Sequence, residues 1–163
     1  MATNFINART VVAFMDVTTP ITTAGTAVTV ADFEMFACLQ NLTFEGTTSP
    51  IAATSKCSGS FAESVDGEKG WTITMDGLSI ATLTGDTRIN HNKAFKKWRS
   101  GEPFWVMIGD AANTEDSLTI RYGVGRIDSD SEAFPDNEAQ TFSLSITGIG
   151  EVFDQDDLAP VTP

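Results

Sequence analysis

Hydrophobic and polar residues alternate with a period of two along much of the chain. In "WTITMDG", Trp71, Ile73 and Met75 fall on one side and Thr72, Thr74 and Asp76 on the other. "TFSLSITG" repeats the pattern, with Phe142, Leu144 and Ile146 set against Thr141, Ser143, Ser145 and Thr147. Successive side chains of a strand project to opposite faces, so these runs predict antiparallel strands with one buried face and one wet face. "SLTIRYGVG" alternates as well and places Leu118, Ile120, Tyr122 and Val124 inward. "TVVAFMDV" and "ACLQNLTFEG" read as further strands, and the Gly, Asp and Asn clusters between the runs supply turns. The pattern predicts a mainly β chain, an antiparallel sandwich or barrel.

"PFWVMIGD" breaks the alternation. Phe104 to Ile108 are apolar on both faces, which predicts a strand covered on both sides, either within the chain or at a subunit contact. A single helix is expected over "NHNKAFKKWRSGEP", Asn90 to Pro103. Asn90 or Asn92 caps its start, Phe95 and Trp98 share a face, and Gly101 with Pro103 ends it. Between the first two strands, residues 17–32 are rich in Thr, Ala and Gly and read as a long hairpin or arm around Gly25. The sequence thus divides into one β domain over residues 1–152 and an acidic, proline-punctuated tail over 153–163.

Charge changes this picture in two ways. The 163-residue chain has a net charge of −12, which disfavours specific binding of nucleic acid or of anionic membranes. Yet Lys93, Lys96, Lys97 and Arg99 on the predicted helix are four of only 10 basic residues, and the remainder face 22 acidic ones. That patch either is a solvated helix face suited to its own C-terminal dipole or meets an acidic patch on another copy.

The pattern does not encode an enzyme. His91 lacks neighbours at metal-ligand spacing and reads as a cap or turn residue. No serine sits in a nucleophile elbow, and "GVGRID" lacks the spacing of a phosphate loop. "DSDSEAFPDNE" alternates Asp128, Asp130 and Glu132 like a calcium loop. However, Ala133 and Ala139 stand where glycine and glutamate are needed, so a solvated acidic loop is expected, with weak cation binding there as the alternative. No catalytic residue, metal ligand or cofactor is therefore assigned. Cys38 and Cys57 are too few for a disulfide framework and are expected reduced and half-buried. "MATNFINARTVV" lacks a signal-peptide pattern, which points to synthesis in the cytoplasm.

An ordered series of segments then narrows the class. "NLTFEGTTSPIAATSKCSGSFAESVDGEKGWTITMDGL" carries Thr54-Ser55-Lys56, Gly59, Glu63, Gly67, Lys69 and Trp71, and closes in Asp76-Gly77-Leu78. The helix and "GEPFWVMIG" follow, then "GVGRIDS", an acidic stretch and "AQTFSLSITGIGEV". From Phe36 to Val152 this order resembles the major tail protein, or tail tube, family of long-tailed bacteriophages. The 17–32 segment is a departure from it.

The resemblance implies a β-sandwich-like fold with one flanking helix, and hexameric rings stacked into a tube. It also implies a place in the virion tail, assembled in the bacterial host cytoplasm. The implied partners are other copies of the chain, a tape-measure protein, tail tip and terminator proteins, and phage DNA passing through the lumen without specific binding. A membrane is not among them. On this reading Thr72, Thr74, Asp76, Ser143, Ser145 and Thr147 line the channel; the alternative is that they face bulk water. The polar segment with Ser55, Lys56, Ser58, Ser60, Glu63, Asp66, Glu68 and Lys69 docks on the next ring, and the basic helix patch lies between subunits. Competing readings are another ring-forming tail part, such as a terminator or distal tail ring, and a β-sandwich that binds carbohydrate or a receptor. For the last, Trp71, Trp98 and Trp105 all sit in core-like patterns rather than on an exposed platform.

Overall fold

The computed structural model describes residues 11–16, 33–53, 64–79, 88–110 and 121–154. In chain order the elements are β1 (Val11–Asp16), β2 (Phe33–Met35), β3 (Leu39–Thr48), β4 (Ile51–Ala52), β5 (Ser64–Val65), β6 (Lys69–Leu78), α1 (His91–Ser100), β7 (Phe104–Asp110), β8 (Arg121–Ala133) and β9 (Thr141–Asp154). Seven strands form one sheet in the order β2-β1-β7-β8-β9-β6-β3, antiparallel at every pairing, while β4 and β5 make a separate two-stranded ribbon. The expected β-rich fold with one flanking helix is what the chain forms.

The two edge strands of this sheet, β2 and β3, are joined by only Phe36, Ala37 and Cys38. Seven flat strands place their edges ~29 Å apart at about 4.8 Å per spacing. The four steps from Met35 to Leu39 span at most ~14 Å. The sheet must therefore curl until its edges approach, as in a barrel. Phe36 bridges Ile89 at this seam, and Ala37 N–H donates to Ile89 O at 2.9 Å.

The concave side holds the main core: Trp71, Ile73 and Met75 of β6, Phe142, Leu144 and Ile146 of β9, Phe104, Val106 and Ile108 of β7, and Ile127 of β8. Each large aliphatic or aromatic side chain fully buried here contributes roughly 1.5–3 kcal/mol. A second cluster lies on the other face of the sheet. Met35, Met107, Tyr122 and Phe153 fall on one cross-strand row, with Trp105 and Phe33 beside them. Both faces of β7 are thus covered within one chain, and Val106 and Met107 are each 0 % exposed.

This row corrects the inward face read for "SLTIRYGVG". Tyr122 and Val124 point away from the main core, and Gly123 and Gly125 point towards it, because the Trp71 ring at the first and Ile146 at the second occupy the space a side chain would need. Gly148 of β9 lies under the same ring, where a Cβ would come within 2.0 Å of it. Leu118 and Ile120 lie outside the described residues. β9 continues through Asp154, two residues into the segment read as tail, because Phe153 stacks on Tyr122 at 5.3 Å.

α1 begins where Asn90 caps it: the Asn90 side-chain oxygen accepts from Lys93 N–H at 3.2 Å. It stops at Gly101, whose left-handed φ of 66° lets its N–H reach Lys97 O and Trp98 O. Ala94 anchors the helix in the main core, and Phe95 and Trp98 pair at 5.5 Å. Trp98 is 39 % exposed, so its core-like spacing does not put it in the core. Cys38 is exposed rather than half-buried, and adopts a φ of 58° at the tight seam between β2 and β3. No helix among the described residues is long and apolar enough to cross a membrane.

Candidate functional site

The six polar residues read as one face do share one. Pairing of β6 with β9 sets Thr72 opposite Thr147, Thr74 opposite Ser145, and Asp76 opposite Ser143. Directly paired residues lie on the same side of a sheet, so the six form two adjacent rows behind the main core. The flanking strands extend the rows. β3 adds Glu45, Thr43 and Asn41 opposite Thr72, Thr74 and Asp76; β8 adds Arg126, Ser129 and Ser131 opposite Thr147, Ser145 and Ser143.

The result is a four-strand field of hydroxyls, ~14 Å across at the usual strand spacing. It carries few charges, and two of these are tied to neighbours: Asn41 Nδ2 donates to Asp76 Oδ2 at 3.4 Å, and Arg126 Nε lies 3.6 Å from Asp128 Oδ1. The β3 residues were visible in the sequence, since Leu42 and Phe44 alternate with them and pack on the core. Those of β8 were not visible, because a bulge changes their phase.

That bulge also relocates the acidic run. Along β8, Ile127 pairs with Ile146 but Ser129 pairs with Ser145, so Asp128 is an extra residue. Beyond it the parity inverts, and Asp130 and Glu132 pair with Leu144 and Phe142 on the core face. The expected solvated loop is therefore strand as far as Ala133, and only residues 134–140 form a turn.

His91, first residue of α1, meets both carboxylates. Its Nε2 is 2.8 Å from Asp130 Oδ1 and its Nδ1 is 3.1 Å from Glu132 Oε1, while its ring stacks on Phe142 at 4.9 Å. The side chains of His91 and Asp130 are 1 % and 3 % exposed. His91 is thus a buried cross-link between helix and sheet rather than a simple turn residue. Ligand-type atoms of His91, Asp130 and Glu132 lie within 4.8 Å of one another. An imidazole offers a metal only one nitrogen, however, and here each carboxylate engages a different one. The arrangement ties each ring nitrogen to a carboxylate of its own.

The basic helix patch is only partly free. Lys93 Nζ bonds Glu34 Oε2 at 2.9 Å, and Lys97 Nζ lies 3.5 Å from Glu102 Oε2, which leaves Lys96 and Arg99 pointing outward. In the polar segment, Asp66, Glu68 and Lys69 are exposed, and Lys69 lies 3.9 Å from Asp66. Ser55, Lys56, Ser58, Ser60 and Glu63 lie outside the described residues, as do residues 17–32.

Chains of solved tail and tail tube structures share this fold. The chain is similar to one in the tail of the empty gene transfer agent particle, refined with helical C6 symmetry (TM-score 0.69, 18% identity, covering 92% of this chain and 98% of that one). It is similar also to a chain of the SPP1 tail tube (TM-score 0.59, 15% identity, 91% of this chain and 78% of that one). A chain of the anti-feeding prophage baseplate, 6-fold symmetrised, matches at a TM-score of 0.55 and 11% identity, covering 95% of this chain and 99% of that one. No protein-family model and no curated protein matches the sequence.

Proposed function

We propose that this chain is the subunit of a tail tube, a structural and non-enzymatic part of a virion. Copies form hexameric rings that stack around a tape-measure protein, between tail tip and terminator, and the finished tube conducts the genome. The observation that carries this reading is the four-strand hydroxyl field behind the core of a fold shared with tail and tail tube chains. With Thr72, Thr74, Asp76, Ser143, Ser145 and Thr147 facing the lumen, passing DNA meets almost no cations and hence no tight phosphate contact. Lys96 and Arg99 are then available to a neighbouring subunit, and the 55–69 segment to the next ring. Assembly takes place in the host cytoplasm.

A second reading has its own support: likeness to a baseplate chain makes a non-tube ring at the tail end the alternative. Electron microscopy of the concentrated protein, with light scattering, separates the two. Hollow tubes of stacked rings are expected; single rings that never stack overturn the tube in favour of the terminal ring.

A further inference from the structure

Among the described residues, the exposed large apolar side chains other than Trp98 lie at the two ends of the sheet. Ile51, Val65 and Ile149 lie at one end, and Phe134 lies at the other. Between these ends β6 runs from Lys69 to Leu78, ~30 Å at about 3.3 Å per residue. Phe134 is 73 % exposed at the start of the β8–β9 turn, followed by Pro135, Asp136 and Glu138. Covering that ring with another molecule would take most of its apolar surface out of water.

The opposite end has a place for it. A depression of about 690 Å³ opens there, with Phe44, Trp71 and Val152 on its floor and Thr48, Lys69 and Glu151 among the residues around it. Glycines of β3, β6 and β9 keep its sides low, and Trp71 is held in position by donating from Nε1 to Gly150 O at 3.1 Å. Its size falls within the ~300–1,000 Å³ of sites that bind small ligands.

We propose that the Phe134 ring of one copy inserts into the Trp71 depression of the next, making a head-to-tail contact along the strand direction. Knob and hole lie at opposite ends of one chain, so copies stacked along the strand direction repeat the same contact from one to the next. Lys69 would exchange its exposed partner Asp66, 3.9 Å away, for Asp136 or Glu138 of the incoming tip, and Glu151 opposes them. The contact rests on the tube reading only in being placed between rings.

The test is oxidation of an Asp136→Cys/Thr48→Cys variant, which keeps the Phe134 ring, in a Cys38→Ser/Cys57→Ser background, read by non-reducing electrophoresis and electron microscopy. Asp136→Cys/Ser143→Cys is the control pair. A ladder of covalent oligomers from the first pair alone, together with tubes, is the expected result. A ladder with only linear strings supports the contact and overturns the tube. Tubes without a ladder overturn the contact and leave the tube standing, and neither ladder nor tubes overturns both. Phe134→Asp, which alters a side chain with little intramolecular contact, is expected to raise the concentration needed for polymerisation at least ~10-fold, a change worth about 1.4 kcal/mol. Phe134→Leu should restore most of it, and an unchanged threshold for Phe134→Asp rejects the contact.

Discussion

The β6–β9 pair and the far half of β8 are neighbours in one sheet, yet they are built on opposite rules. Along β6 and β9, from Thr72 to Leu78 and from Thr141 to Thr147, the register is unbroken: every second residue is apolar and faces the core. Beyond Asp128, β8 places two carboxylates on that same core face and covers them with a histidine from the helix. The first region derives its stability from apolar burial. The second holds a polar cluster that hydrogen bonds must compensate. The difference shows how one inserted residue converts a wet acidic strand into the inner lining of a helix contact.

The largest expected effect tests that difference directly. Asp130→Ala leaves His91 without its closest partner, and His91→Ala leaves two carboxylates facing each other; each should cost ~3–5 kcal/mol in urea denaturation, as for a broken buried pair. Asp76→Ala on the polar face should stay within ~0.5 kcal/mol. If the two carboxylates behave alike, the contrast fails. Next in size, Gly148→Ala forces a methyl into the Trp71 ring and should cost about 1–3 kcal/mol, by thermal or denaturant unfolding. Most of that loss should disappear in Gly148→Ala/Trp71→Leu relative to Trp71→Leu alone.

Asn90→Ala removes the cap of α1 and should cost ~1 kcal/mol. It should also weaken the effect of Asp130→Ala if the cap and the His91 bonds hold the same turn. The smallest effect on folding is expected from Thr74→Lys and Ser145→Lys made singly, since together they would set like charges on one cross-strand pair, and each should stay within ~0.5 kcal/mol on an exposed face. Their effect should instead fall on genome ejection, measured as infectivity of particles carrying the variant; normal infectivity removes these two positions from the channel.

The sequence was legible where a strand obeys a single period. The faces of β6 and β9, both covered sides of β7, and the ends of α1 from Asn90 to Gly101 could all be read from residue spacing. What failed shares a physical cause: register breaks carry no mark in a hydrophobic pattern. The extra residue Asp128 hid the inward turn of Asp130 and Glu132. Glycines hid the true inner face at Gly123 and Gly125, since a position emptied for a neighbouring side chain looks like a turn. Trp98 shows the reverse error, for spacing that suits a core face placed its ring partly in solvent. The six channel candidates were legible as one face, but the neighbours added by β3 and β8 depend on pairing that only the fold reveals.

The seat of Trp71 has an evolutionary consequence. Its ring lies against two glycines on two other strands, Gly123 and Gly148, where a methyl would come within 2.7 and 2.0 Å of it. Neither the tryptophan nor either glycine can drift independently, so the three positions are constrained to be inherited as a set.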